Sequence, residues 1–441
     1  MGLLKRVVSS IRHPVAQVTI TNLASVALGT VSGILTARGL GPDGRGEWAL
    51  IMALFTVALV VGELGQSGAV TYFVSRFPAD AFVAIRRARR VMLIGGVLVA
   101  TTGLIISPML AGQDRDVHAA CVLMSLAIIS NSLFASMLFA LQAQSIRMWN
   151  LGRVVQPVFY AVGIGVMFTA GELSVLGVAG ALVVSTSLQF VIVSLMSRRA
   201  YRVSYEESSR SSENPIPPSL EGLGTDRMPG IERINTQWVY GLRYAAAAIP
   251  TVLAAQYDKV LLASYESPRE VGIYAVATTV ALLVAPFAAA VTNVVFPRAS
   301  KGDLSGAART SFEVKTLKYA LIVSALVSMG LCLVAPSAVP LFFGEIYKPA
   351  VPLIWALALV MVARSLSQVV GALVRARGRP GSAAVAQVSG LVAGLVVMIP
   401  TVSTFGSMGA VVGLGVGEAI TVAISFVTLR RLRHREFMEG S

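Results

Sequence analysis

Pro42-Asp43-Gly44-Arg45-Gly46-Glu47-Trp48-Ala49 returns later in the chain as Pro268-Arg269-Glu270-Val271-Gly272-Ile273-Tyr274-Ala275, with proline, glycine, aromatic and alanine matched at an offset of 226. A second set, Leu176-Gly177 and Ser197-Arg198-Arg199, matches Met408-Gly409 and Leu429-Arg430-Arg431 at an offset of 232. Two matched sets in the same order predict that one half of the chain repeats the other in parallel. What surrounds each motif decides the setting. Of 441 residues 55% are hydrophobic and only 13% charged, and the mean hydropathy is +0.74. Soluble domains carry about 25% charge, so a soluble globular enzyme is excluded.

Apolar runs long enough to cross a hydrocarbon core of about 30 Å recur throughout. Twelve segments are predicted, at 16–37, 48–74, 90–111, 117–141, 147–170, 173–197, 237–263, 271–296, 312–335, 350–374, 381–404 and 407–429. They are helices, since backbone in lipid must satisfy itself internally and the runs are too long for barrel strands. Of 36 Lys and Arg, 27 fall on the side that holds both termini, 5 on the opposite side and 4 within spans. That bias places both termini in the cytoplasm. The net charge of +14 is therefore topological, and no nucleic-acid partner is implied.

The expected architecture is an all-α polytopic membrane protein of twelve transmembrane helices in two six-helix lobes related by a parallel pseudo-repeat, with both termini cytoplasmic. Its parts are an interfacial segment at 1–15, an N-terminal lobe at 16–197, a flexible linker at 198–236, a C-terminal lobe at 237–429 and a basic tail at 430–441. The linker is rich in Ser, Pro, Gly and mixed charge and lacks helical apolar periodicity. The leader breaks at His13-Pro14 before any apolar core, so no cleaved signal peptide is expected.

Enzymatic motifs are missing from the sequence. No lysine follows a glycine, which excludes a GxxxxGK[ST] phosphate loop, and His13, His118 and His434 are too scattered to read as a metal site. Cys121 and Cys332 lie in apolar runs and make no disulfide framework. No cofactor and no metal are expected, and the outer loops are short except Pro336 to Pro349. A glycan polymerase or glycosyltransferase would need its catalytic groups there.

Ionisable groups inside the spans are costly and usually face a cavity or a partner. They are Glu63, Arg153, Arg243, Asp258, Lys259, Arg364 and Glu418. Arg153 and Arg243 suit an anion site, with snorkelling to the cytoplasmic surface as the equal alternative. Asp258 and Lys259 fit a local ion pair as well as a cavity role. Glu63 sits in Gly62-Glu63-Leu64-Gly65-Gln66-Ser67-Gly68, where polarity and helix irregularity coincide, so Glu63 and Gln66 are cavity candidates. Glu418 suits a hydrogen bond to a neighbouring helix.

In the first span, Asn22, Ser25, Gly29, Ser32 and Thr36 form one polar or small stripe, which could line a passage or pack closely on another helix. Asn131, Gln142, Gln144 and Gln189 add uncharged polarity. Trp48, Trp149 and Trp238 begin spans, where interfacial anchoring is expected. Arg38 and Arg45 fall at the outer mouth.

The turn Arg38-Gly39-Leu40-Gly41-Pro42 leading to Gly46 and Trp48, Asp258-Lys259-Val260-Leu261-Leu262, the run Pro268 to Ala277, and Phe296-Pro297-Arg298-Ala299-Ser300 resemble the Wzx-type polysaccharide biosynthesis proteins, or oligosaccharide flippases. These belong to the multidrug/oligosaccharidyl-lipid/polysaccharide exporter superfamily. Arg45 and Glu47 depart from the pattern, which more often has an aromatic and an apolar residue there. The resemblance implies a multi-pass protein of the inner (plasma) membrane that moves an undecaprenyl-diphosphate-linked oligosaccharide between leaflets, with a polysaccharide polymerase and other assembly proteins as partners.

A saccharide on a diphosphate would lose its hydration in hydrocarbon without replacement, so the expected site is a cationic, water-lined crevice. The nearest alternative is an ion-coupled multidrug or organic-cation antiporter of the same superfamily. A lipid II flippase would normally carry two further C-terminal spans.

Overall fold

The computed structural model describes residues 14–77, 80–211, 230–287, 289, 306–377 and 379–439. Among them every regular element is helical. In chain order they are α1 (Pro14–Glu63), α2 (Gln66–Arg76), α3 (Ala81–Ala111), α4 (Arg115–Gln144), α5 (Ile146–Ala170), α6 (Val175–Ser211), α7 (Gly230–Tyr265), α8 (Pro268–Ala281), α9 (Gly306–Phe343), α10 (Ala350–Ala376) and α11 (Pro380–Glu439). Nine helices among the described residues are long and apolar enough to cross a membrane.

Two of these nine are interrupted by glycine. In α1, Gly41 takes φ 67° and ψ −178°, and Pro42, which has no N–H to donate, follows it. In α11, Gly406 takes φ 54° and ψ −131°. Both interruptions fall between predicted spans. The span expected at 48–74 is itself broken: α1 ends at Glu63, Leu64 and Gly65 take φ 48° and 71°, and α2 begins at Gln66.

Other boundaries shift. Helix α9 runs to Phe343 and only six residues separate it from α10, so the one long outer loop expected, Pro336 to Pro349, is mostly helix. Pro336 and Pro340 read as loop residues in the sequence, yet both lie inside α9. Helices α6 and α7 also extend into the predicted linker, to Ser211 and from Gly230. Its middle, together with the first thirteen residues, the motif Phe296 to Ser300 and the last two residues, lies outside the described residues.

The chain forms two compact units. Unit 1 comprises the chain up to Thr21, Phe55–Gly163 and Ala179–Ile249; unit 2 comprises Asn22–Leu54, Ile164–Val178 and the chain from Pro250. In unit 1, Val70, Phe73 and Val74 of α2 pack against Ala84, Ile85 and Ala88 of α3 and Ala140 of α4. Small residues bring the backbones close, since a Cβ on Gly95 would run into the Gly62 carbonyl.

In unit 2 the core gathers Tyr274, Val339, Tyr347, Ile354, Leu357 and Met398. The Tyr347 hydroxyl donates to the Ala37 carbonyl at 2.9 Å. Burial raises the pKa of this phenol, with Arg45 opposing and Asp43 adding to the shift, so Tyr347 remains a donor at neutral pH. Both units expose large apolar side chains, among them Met109 at 84% and Leu359 at 75%, as membrane-spanning helices do.

The motif pair that opened the sequence meets in unit 2. A Cβ added to Gly46 would strike the Pro268 carbonyl, and one added to Gly272 would strike the Pro42 carbonyl. The contact is reciprocal, each motif's glycine lying on the other motif's proline. Trp48, expected at the membrane surface, is buried, at 3% exposed.

Candidate functional site

The broken span builds a cavity in unit 1. Gly65, in the left-handed region, lies so close to α7 that a Cβ would collide with the Gly241 carbonyl, and Gly241 in turn leaves room for the Gln66 amide. Gly68 likewise leaves room for the ring of Tyr244. These glycines let α2 and α7 approach while their larger side chains turn into one space.

That space is about 570 Å³ and is lined by Ser67, Gly68, Thr71, Tyr72, Ser75 and Arg76 of α2, Phe139 and Gln142 of α4, and Tyr240 and Tyr244 of α7. Tyr72 and Tyr240 stack with ring centroids 4.6 Å apart and planes inclined by 16°. Phe73 meets both edge-on, at 5.4 and 6.2 Å, and fixes the stack to the unit 1 core.

The Thr71 hydroxyl lies 3.2 Å from the Phe139 carbonyl and 3.4 Å from Gln142 Oε1. No hydrogen bond among the described residues uses the Tyr72, Tyr240 or Tyr244 hydroxyl, so each remains available to a ligand. Arg76 adds a cation one turn beyond Tyr72, at the basic end of α2. Aromatic faces, hydroxyls, an amide and a guanidinium together can bind a polyhydroxylated anion.

Three of the residues picked from the sequence lie close in the chain to these lining residues, though none of the three lines the cavity itself. Glu63 hydrogen-bonds to Ser67, Gln66 is buried at the α2–α7 contact, and Arg243 lies three residues from Tyr240 on α7 and is exposed. Arg153, on α5 of unit 1, instead stacks its guanidinium on the Trp149 ring at 4.4 Å. The tyrosines and Arg76 were missed as site residues. Gln142 was visible as an uncharged polar group at the end of a span, but the cavity needs three helices distant in sequence to meet.

In unit 2, Asp258 is buried, accepts from the Tyr274 hydroxyl at 2.8 Å and pairs with Lys259 at 3.5 Å. Arg364 of α10 lies 3.5 Å from Glu418 of α11, which also accepts from the Ser367 hydroxyl at 2.8 Å. These charges have partners inside the unit, and Glu418 bonds to a neighbouring helix as expected.

Asn22 is half-buried on α1. Further along the stripe, Ser32 and Thr36 return their hydroxyls to carbonyls of their own helix, at 2.9 Å each. Arg38 donates to the Leu341 carbonyl. Arg45 is half-buried and reaches toward the stripe, 3.5 Å from Thr36 Oγ1 and 3.2 Å from Thr279 Oγ1. Among the described residues no cluster of His, Cys, Asp and Glu could hold a metal ion.

A family model described as polysaccharide biosynthesis protein matches residues 14–303. The chain belongs to that family. A search of curated proteins gives no match.

Solved structures do match. The lipid II flippase MurJ in an inward closed conformation shares 13% identity over 95% of this chain and 90% of its own, with a TM-score of 0.71. An inward-facing multidrug resistance MATE family transporter of the MOP superfamily shares 15% identity over 95% and 98%, with a TM-score of 0.67. The MATE multidrug transporter DinF-BH in complex with R6G shares 17% over 96% and 95%, with a TM-score of 0.63. At such identities the common property is the fold: these are transporters and a flippase, not enzymes, and this family member is a multi-pass membrane protein of the same architecture.

Proposed function

We propose that this protein moves an undecaprenyl-diphosphate-linked oligosaccharide from the inner to the outer leaflet of the plasma membrane by alternating access, for cell-surface polysaccharide biosynthesis. The observation that carries the reading is the unit 1 cavity, tyrosine-rich and hydroxylated with a cation at its rim, in a chain of the polysaccharide biosynthesis family. A saccharide entering the bilayer must exchange water for equivalent hydrogen bonds. Tyr72, Tyr240 and Tyr244 supply ring faces and hydroxyls, and Gln142 and Thr71 supply further polar groups. Arg76 and Arg243 take the diphosphate, for which guanidinium geometry is suited. Glu63 and Gln66 brace the α2–α7 junction beside them.

Twelve spans in two six-helix lobes with cytoplasmic termini remain the architecture of this reading. Dividing α1 and α11 at Gly41 and Gly406 and counting α7 brings the nine long apolar helices to twelve. The reciprocal Gly46–Pro268 and Gly272–Pro42 contact is what a two-fold pseudo-repeat requires of matched motifs. Arg45 and Arg38 belong to the outer end of the route in this scheme. Polymerase and other assembly proteins would receive the delivered glycan.

A second reading, export of an organic cation in exchange for an ion, draws on Glu63 beside aromatic rings, since cations bind ring faces. Arg76 and Arg243 oppose it by repulsion.

Leaflet-resolved analysis of polyprenyl-linked glycans in a deletion strain separates the two. Cytoplasmic accumulation, relieved by the wild-type gene and not by Arg76→Gln/Arg243→Gln, is the expected result. Unchanged glycans with altered tolerance to cationic dyes would replace the flippase reading by the antiporter.

A further inference from the structure

A second crevice in unit 1 has different chemistry. It measures about 680 Å³ and opens between α3, α4 and α6. Phe82, Arg86 and Arg89 line it from α3, Leu133 from α4, and Val191 and Leu195 from α6. On α3 these positions are four and three residues apart, so they share one face. Phe82, Leu133, Val191 and Leu195 are all exposed in the protein alone, Phe82 at 63% and Leu195 at 60%. Arg86 is exposed, Arg89 half-buried, and the Arg86 guanidinium lies over the Phe82 ring at 4.8 Å. Neither arginine takes part in an ion pair among the described residues.

We infer that this crevice binds an anionic phospholipid of the surrounding leaflet, its phosphate at Arg86 and Arg89 and an acyl chain along the apolar wall. Charge and polarity decide the occupant. The cations stand at the start of α3, the side that the charge asymmetry assigns to the cytoplasm, so a phosphate there leaves its chains pointing into the bilayer. Among the described residues the hydroxyls lining the crevice are those of Ser194 and Ser197, which bond to Met137 Sδ at 3.8 Å and to the Val193 carbonyl at 2.7 Å. The crevice therefore offers a sugar little hydrogen bonding and suits a simple phosphate on an apolar chain. The inference is independent of which substrate the transporter carries.

Thermal unfolding of the purified full chain in neutral detergent, with added phosphatidylglycerol, phosphatidylcholine or undecaprenyl phosphate, tests it. Phosphatidylglycerol raises the wild-type midpoint and phosphatidylcholine does not. Arg86→Gln/Arg89→Gln weakens the apparent phosphatidylglycerol affinity by about fivefold per arginine and about thirtyfold for both. Arg430→Gln/Arg431→Gln, at exposed positions on α11, keeps it. Leu195→Trp, which fills the crevice while retaining both cations, also abolishes the lipid-dependent shift and serves where the arginine variant fails to fold.

Equal losses in the two arginine variants would reduce the effect to general surface charge and overturn the site. Stabilisation by undecaprenyl phosphate without any by phosphatidylglycerol would overturn the phospholipid as occupant.

Discussion

At the scale of single residues, Tyr240 has to serve two purposes that substitution can separate. Its ring stacks on Tyr72 and its hydroxyl faces no partner among the described residues. If the ring is a platform for sugar, Tyr240→Phe keeps the ring and loses one hydrogen bond, about 1 kcal/mol. Tyr240→Ala also removes the stack, about 1 kcal/mol more. Transport of lipid-linked glycan should then fall by about fivefold in the first variant and about thirtyfold in the second, read as the glycan reaching the outer leaflet per unit of protein.

Tyr274 belongs to a different logic. It is wholly buried and its hydroxyl donates to a buried carboxylate, so Tyr274→Phe removes a charge-assisted hydrogen bond worth about 2 kcal/mol. A midpoint lowered by a few degrees, recovered in part by adding Asp258→Asn, is the expected thermal result. Asp258 and Lys259 were legible because charges in an apolar run are conspicuous. Tyr274 was legible only as half of a repeated motif, and Tyr240 not at all, because nothing in the amino acid itself announces a partner on α2.

At the scale of elements, glycine sets how closely the helices pass. Gly46→Ala or Gly272→Ala would drive a methyl into a carbonyl of the opposite motif, which no side-chain rotation relieves. Gly29, on the same α1, has nothing within 4 Å of an added Cβ. Gly29→Ala therefore stabilises its helix by up to about 1 kcal/mol through propensity, whereas either motif variant lowers the unfolding midpoint and the yield of folded protein. The ordering of the three midpoints is the measurement.

Charge ties elements too. Glu313 of α9 is 1% exposed and accepts from Arg377, after α10, at 2.8 Å and from Arg433 of α11 at 2.7 Å. Glu313→Gln is expected to cost about 3 kcal/mol or more, because it leaves guanidinium charge in a buried place. Lys348→Gln breaks a pair that is exposed on both sides, and its effect should stay below about 1 kcal/mol. Glu313 escaped notice in the sequence because it reads as one more charge near a helix end. The turns at Gly41 and Gly406 were legible as gaps between apolar runs, while the α9 extension through Pro336 and Pro340 was not, since proline in a sequence more often marks a helix end than a helix interior.

At the scale of the whole molecule, the distribution of Lys and Arg is a statement about orientation that chemistry can check from outside the cell. Positive charge is retained on the cytoplasmic side during insertion, so 27 basic residues against 5 make the opposite orientation strongly unfavourable. Gly171 and Glu172 form an exposed turn between α5 and α6, and Ser219 falls in sequence between α6 and α7; the charge count predicts the basic-poor side for the first and the basic-rich side for the second. The two native cysteines, Cys121 and Cys332, are free and are first replaced by alanine; the Cys332 carbonyl that accepts from Trp355 belongs to the backbone and persists. In that background, Glu172→Cys should react with a membrane-impermeant maleimide in intact cells, and Ser219→Cys only after the membrane is opened. The reverse pattern would place both termini outside and would move Arg76, the tyrosine cavity and the Arg86–Arg89 crevice to the outer leaflet, where a lipid-linked sugar made in the cytoplasm could not first meet them. Equal labelling of both positions in intact cells would mean an even number of spans between 172 and 219. That outcome contradicts the single crossing by α6 on which the lobe boundary at 197 depends.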